Sequence, residues 1–214
     1  MDYSPVMASD VNGPQSGYQE LHQLRTSPPT ERADAARNRA TVLDAAARLF
    51  AEHGADQVSM DAIAAAAGVG KGTLFRRFGD RAGLAAALLD ARERDLQEGV
   101  LSGPPPLGPG APAADRLTAF VAGYLDYLLA HLDLVRMSET AAPGARYRIG
   151  AYRFWHRHVA LLLADAAEDP DYAAHALLAG LAAEHVTAVL PALGPQRLRA
   201  GVLQSARDIY KGRI

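Results

Sequence analysis

Apolar positions along this chain recur at helical spacing, and no segment shows the strict alternation of a strand. Val42, Ala46, Leu49 and Phe50 share one face of a helix predicted over about 34–53, which Gly54 stops as a C-cap. Ser59 is placed to cap a second, short helix, with Asp61 in the first turn where the helix dipole favours negative charge. Ile63 anchors that helix. Ala64, Ala65, Ala66 and Ala67 add so little bulk that a third helix can cross it closely after a turn at Gly68. The third helix spans about 70–78. Leu74 and Phe78 face inward together, while Thr73 with Arg77, and Lys71 with Phe75, form two further four-apart pairs on outward faces. Asp80 caps a fourth helix that runs through Leu84, Leu88 and Leu89 toward Glu98.

The pattern then breaks. Between Ser102 and Pro112 stand Pro104, Pro105, Pro106, Pro109 and Pro112 with Gly103, Gly108 and Gly110, a composition that marks a linker. Beyond it, Leu117, Phe120, Val121, Tyr124, Leu125, Leu128 and Leu129 mark an amphipathic helix over about 113–131, followed by a short piece near 134–139. An aromatic stripe through Tyr147, Phe154 and His158 predicts a helix over about 145–167. An alanine-rich helix over about 171–190 comes next, and Pro191, Gly194 and Pro195 divide it from a last helix over about 196–211. Residues 1–30 are rich in Pro, Gly, Ser and Gln without periodicity and read as a mobile arm.

Composition narrows the chemistry. The absence of cysteine rules out disulfides, a thiol nucleophile and thiolate metal sites. The first thirty residues contain Arg25 as their single cation and no long apolar run, so neither a signal peptide nor a membrane span is expected, and the cytoplasm is the expected location. A net charge of -2 conceals two basic patches. Lys71, Arg76, Arg77 and Arg81 face one anion, Asp80; Arg32, Arg37, Arg39 and Arg48 face Asp34 and Asp44.

Two short helices joined by a glycine turn, the second bearing Lys, Thr and Arg outward, follow the logic of a helix-turn-helix: the second helix enters the major groove. The same residues resemble the N-terminal DNA-binding domain of the TetR family of one-component transcriptional regulators. The resemblance is carried by Val42-Leu43-Asp44-Ala45-Ala46, Leu49-Phe50 and Gly54, then Ile63-Ala64 with Ala67-Gly68-Val69, and Gly72-Thr73-Leu74-Phe75 with Phe78 and Arg81. It implies that Ser59 caps beside a phosphate, that Lys71, Gly72 and Thr73 lead into the groove followed by Phe75 and Arg77, and that Arg81 holds phosphate. Phe75 stands where the family usually has Tyr, Met60 replaces a usual Thr, and Gly70 a common Ser. With those hydroxyls missing, Arg39, Arg76 and Arg77 are expected to compensate electrostatically.

The resemblance further implies a C-terminal bundle that binds a small effector and dimerises through its last helices. Alanine and glycine density between Tyr172 and Ala188 suits close helix approach, with Leu198, Val202 and Ile209 adding apolar area. Tyr124, Tyr127, His131, Met137, Tyr147, Phe154, Trp155, His158, Glu184 and His185 are the candidates to line a ligand cavity. His156 and His158 are two apart on a helix and diverge, so no metal site is expected. Gly70-Lys71-Gly72-Thr73 is not a nucleotide-binding loop, because Ser or Thr does not follow Lys71 directly and no strand precedes it. No cofactor and no catalytic constellation is expected.

The expectation is therefore an all-α protein with a mobile arm (1–30), a three-helix DNA-binding domain (31–79, motif about 59–78), a connecting helix (80–99), a linker (100–112), and a ligand-binding, dimerising bundle (113–214). Its expected partners are double-stranded operator DNA, an unidentified small-molecule effector and a second copy of itself, with no membrane. The function expected is that of a ligand-released repressor on a palindromic operator. The alternative is an all-helical small-molecule-binding protein or enzyme that does not touch DNA.

Overall fold

A computed structural model describes residues 14–25 and 33–212. Among them the chain forms helices α1 (Pro14–Leu24), α2 (Ala33–His53), α3 (Met60–Ala67), α4 (Lys71–Phe78), α5 (Arg81–Ser102), α6 (Ala113–Ala130), α7 (Leu132–Glu139), α8 (Ala145–Arg148), α9 (Gly150–Leu163), α10 (Pro170–Ala179) and α11 (Ala183–Tyr210). A single 3-10 turn at Ala55–Gln57 joins α2 to the segment before α3, and no strand occurs among the described residues.

The helix boundaries in the N-terminal half follow local chemistry. Ser59 Oγ accepts from the Ala62 amide at 3.1 Å and caps α3. Gly68 ends α3 in the left-handed region, φ 65° and ψ 29°, and Val69 N–H bonds back to the Ala64 carbonyl at 3.0 Å. Asp80 Oδ1 accepts from the Gly83 amide at 2.9 Å to cap α5. A Cβ on Gly83 would lie 1.9 Å from the Phe78 carbonyl oxygen, so only glycine permits the close approach of α4 to α5.

Two hydrophobic cores result. Val42, Ala46, Phe50, Ile63, Leu74 and Phe78 pack α2, α3 and α4 together, and Leu84 from the first turn of α5 closes that core. Leu89, Val100 and Leu101 of the same helix belong instead to the second core, with Phe120, Tyr124, Leu128, Trp155, Leu163 and Leu178. Helix α5 is thus common to both. Leu134 of α7 packs against both cores, and Met137 packs against the first.

Three expectations are corrected. The segment Pro14–Leu24 is a helix, not a mobile arm. Tyr18, Leu21 and Leu24 recur every three residues and lie against the bundle core, with Leu21 wholly buried. Residues 1–13 and 26–32 lie outside the described residues. The helix predicted over about 145–167 is split at Ile149, which is extended between α8 and α9. The helix expected over about 171–190 is broken between Ala179 and Ala183, whereas the division expected at Pro191, Gly194 and Pro195 is present at Gly194, φ 70° and ψ 161°.

The Pro/Gly-rich linker forms turns between α5 and α6. Buried Arg116 fastens it, donating to the carbonyls of Val100 at 3.1 Å and Leu107 at 3.4 Å and to the Tyr18 hydroxyl of α1. Three acceptors on three segments offset the cost of burying the guanidinium.

Candidate nucleic-acid interface and bundle interior

Helix α4 is two-faced. Leu74 and Phe78 are buried, while Lys71, Gly72, Thr73, Phe75 and Arg76 are exposed. Phe75 leaves 47% of its surface in solvent, which makes it one of three large exposed hydrophobics among the described residues. A Cβ on Gly72 would meet nothing within 4 Å, so no internal contact calls for glycine in the first turn of this helix. Lys71 reaches back to Asp61 on α3 in an exposed ion pair, which is weakly held in water. Ser59 is exposed at the start of α3 beside the same surface.

The arginines divide. Arg76 is exposed, but Arg77 is half-buried and donates to the Ala35 carbonyl at 2.7 Å, fastening the first turn of α2 to α4. Arg81 donates to the Ala55 carbonyl of the 3-10 turn. Arg39 is 20% exposed and pairs with Asp90 of α5 at 3.0 Å. Burial raises the Asp90 pKa while the Arg39 charge works against the rise. Three of the four arginines expected to hold DNA are thus engaged within the domain, and sequence spacing held no sign of those partners.

The bundle candidates divide likewise. Tyr124, Phe154, Trp155 and His158 are buried, Tyr127, His131 and Met137 are half-buried, and Tyr147, Glu184 and His185 are exposed on the surface of this chain. Phe120, Tyr124 and Trp155 pack with ring centroids 5.6–5.9 Å apart. Beside them lies a residual cavity of about 20 Å³, lined by Glu93, Tyr124, Tyr127, Ser138, Glu139, Arg146 and Trp155 among others. Tyr127 Oη donates to Glu93 Oε1 at 3.0 Å. Burial pushes the Glu93 carboxyl up to about 7, and it raises the Tyr124 and Tyr127 hydroxyls as well. Glu139 pairs with Arg146 and accepts from the Ala183 amide at 2.8 Å, while Arg146 also donates to the Leu178 carbonyl at 2.8 Å. Glu93, Glu139 and Arg146 were missed from sequence, since a charged residue on a long helix gives no sign of facing inward.

His158 is fully buried, and neither ring nitrogen has a hydrogen-bond partner among the described residues. Burial, with the Arg116 charge adding to it, lowers its pKa to about 3, so the ring is neutral. It packs edge-on against Phe120 at 5.1 Å between centroids. Met137 lines a separate surface cleft with Met60, Asp80 and Arg81, at the contact of α7 with the N-terminal domain. Among the described residues no three His, Asp or Glu side chains are placed to hold a metal ion. No single described helix is long and apolar enough to cross a membrane.

Residues 42–88 match the family described as bacterial regulatory proteins, tetR family. An HTH-type transcriptional regulator of Staphylococcus aureus (strain USA300) is 40% identical over 65 residues, 30% of this chain and 34% of that protein. The chain therefore matches about a third of the length of its curated relatives. Among solved structures, a TetR-like transcriptional regulator from Rhodococcus sp. RHA1 has a TM-score of 0.56 at 22% identity, covering 84% of this chain and 97% of that one. A TetR-family transcriptional regulator from Pectobacterium atrosepticum has a TM-score of 0.59 at 21% identity, covering 86% and 98%. At such identities the structures establish the shared fold, and the sequence match establishes the kinship of the helix-turn-helix. With both in place, residues 42–88 are similar to the helix-turn-helix of the tetR family of bacterial regulatory proteins, and the chain shares the fold of these solved structures.

Proposed function

We propose that this protein is a sequence-specific DNA-binding transcriptional regulator, acting as a ligand-released repressor on a palindromic operator. The observation that carries the proposal is the outward face of α4, where Lys71, Gly72, Thr73, Phe75 and Arg76 are exposed together on a helix fixed from behind by Leu74 and Phe78. Lys71, freed from its exposed pair with Asp61, and Thr73 meet base edges at the N-terminal end of the helix, as the geometry of the motif requires. Gly72 lets the backbone approach the duplex, which accounts for a glycine that no internal contact explains. Arg76 and the Ser59 hydroxyl hold phosphate. Arg77, Arg81 and Arg39 serve chiefly to hold α2, the 3-10 turn and α5 in register behind the reading helix.

A two-fold operator needs two copies of α4 about one helical turn apart, ~34–36 Å. The surface at α10 and α11 supports pairing there: Ala176, Leu177, Gly180, Val202 and Ile209 line an apolar groove of about 200 Å³. Coupling to the reading helix runs through α5, common to both cores, and through α7, whose Arg136 pairs with Asp56 of the 3-10 turn at 2.5 Å. Ligand binding then shifts the population toward a spacing that no longer fits successive grooves.

Selection of bound fragments from random DNA, followed by titration at several salt concentrations, tests the proposal. The expected result is an inverted-repeat sequence whose affinity falls steeply with salt. Binding without sequence preference, or none at low salt, would overturn it.

A further inference from the structure

The bundle interior, where a ligand cavity was expected, retains about 20 Å³, little more than room for one water. A much larger space lies elsewhere, in a cleft of about 560 Å³ between the two cores. Protein interiors rarely leave voids beyond the size of a water, and ordinary ligand sites fall between about 300 and 1,000 Å³. One wall of the cleft is α2, where Ala47 and Ala51 stand one turn apart and leave room above Phe50. The other wall is Leu88 of α5 with Leu129 and Leu132 from the α6–α7 corner, all half-buried.

The rim has a chemical sign. Arg92 and His131 sit on it together, and the Arg92 charge acts alongside burial to depress the His131 pKa. The His131 ring is held against Tyr127 at 5.6 Å, and its backbone makes the sharp turn from α6 into α7. The anions nearby are Asp133 on the rim, exposed, and Asp95, 3.6 Å from Arg92 in a pair that is mostly solvent on both sides. Such a pair is weak, so the guanidinium remains open to a stronger acceptor.

We infer that this junction cleft is a ligand site for a small apolar monocarboxylate, whose hydrocarbon body fills the space between Ala51 and the leucines while its carboxylate meets Arg92 and the His131 ring. The inference rests on the regulator proposal only for its consequence. A molecule seated between α2 and the α6–α7 corner separates the reading domain from the bundle at the point where Leu134 joins their cores, and so alters the presentation of α4.

Calorimetry on the full chain without DNA tests the site, with 4-phenylbutyrate, 4-phenylbutanol and 4-phenylbutylamine as probes of one shape and three charges. The acid is expected to bind about tenfold more tightly than the alcohol, and the amine more weakly than either. Ala51→Trp, an exposed position, should abolish binding of all three by filling the cleft. Arg92→Gln should bring the acid down to the affinity of the alcohol, and Glu93→Gln in the bundle interior should leave all three affinities unchanged. Equal binding of the three probes, no binding at millimolar concentration, or binding lost in Glu93→Gln and kept in Ala51→Trp would overturn the inference. Operator affinity is measured separately. A chain that binds the acid as described but shows no specific DNA binding would overturn the regulator proposal and leave the site standing.

Discussion

The two cores of this protein are built on opposite terms. Around α2, α3 and α4 every buried residue among those described is apolar, and polar groups stay at the edges as caps, as the Arg39–Asp90 pair, or as arginines reaching main-chain carbonyls. The buried polar residues among those described, Gln97, Arg116, Ser138, Arg146 and His158, all belong to the bundle and the lower half of α5. A small core cannot carry the desolvation of a charge, whereas a larger one can if acceptors are supplied. The difference separates an N-terminal domain whose exposed charged groups face outward from a bundle whose polar groups face inward.

The sharpest way to break that comparison is to remove one buried leucine from each side. Leu74 is 1% exposed and Leu163 is wholly buried. Each change to Ala should cost about 2–5 kcal/mol. In Leu74→Ala the loss falls on the smaller core, so DNA binding should disappear while an unfolding transition of the bundle persists in urea. Leu163→Ala should lower the bundle transition. A single shared transition in both variants would mean that α5 welds the two cores into one cooperative unit.

The next largest effects come from the inward-facing groups. His158 titrates near 3 when folded against 6.5 when unfolded, so the unfolded chain binds the extra proton and stability falls as pH drops below 6.5. Glu93 titrates near 7 when folded against 4.5, so the folded chain holds the extra proton and stability falls as pH rises from 4.5 through 7. Each unit of displacement is worth about 1.4 kcal/mol. His158→Phe should flatten the acid side of the stability profile. Glu93→Gln, which still accepts from Tyr127, should gain up to about 3 kcal/mol at pH 8. Denaturant melts at a series of pH values measure both, and an unchanged profile would mean that water reaches these groups.

The same division decides what was legible in the sequence. Caps and turns are local, so Ser59, Gly68 and Asp80 could be assigned from spacing, and the helices between them were placed to within a residue or two. The inward groups depend on partners far along the chain: Arg77 on Ala35, Glu139 on Ala183, Arg116 on Tyr18. Residue type gave no hint of those pairings, so the partners that Arg39, Arg77 and Arg81 find within the chain could not be read from spacing. The α1 helix was hidden by its polar surroundings, although Tyr18, Leu21 and Leu24 carried a legible stripe.

Neighbouring arginines on α4 sharpen this point at smaller cost. Arg76→Ala should weaken operator binding by roughly 1 kcal/mol and reduce the salt dependence by about one phosphate contact, with little change in melting temperature. Arg77→Ala removes the donor to the Ala35 carbonyl and should lower stability by about 1–2 kcal/mol, with any loss of DNA affinity following from a loosened α2. A gel-shift titration paired with thermal melting separates the two. If Arg77→Ala changes affinity and salt slope without changing stability, Arg77 reads DNA directly and the division between outward and inward arginines fails.

The smallest effect compares two caps of like geometry. Ser59 Oγ accepts from the Ala62 amide at 3.1 Å in the N-terminal domain, and Asp169 Oδ1 accepts from the Tyr172 amide at 2.9 Å at the start of α10. Replacement by Ala should cost about 1 kcal/mol at either site, since each leaves one first-turn amide to water alone. Only Ser59 lies beside the proposed DNA face, so Ser59→Ala should also lose operator affinity while Asp169→Ala keeps it. Equal losses of stability with unequal losses of DNA binding would place the Ser59 hydroxyl on phosphate as well as on its own helix. Equal behaviour in both measurements would leave it a cap alone, and the anchoring lost with the hydroxyl absent from Phe75 would then fall to Lys71 and Arg76.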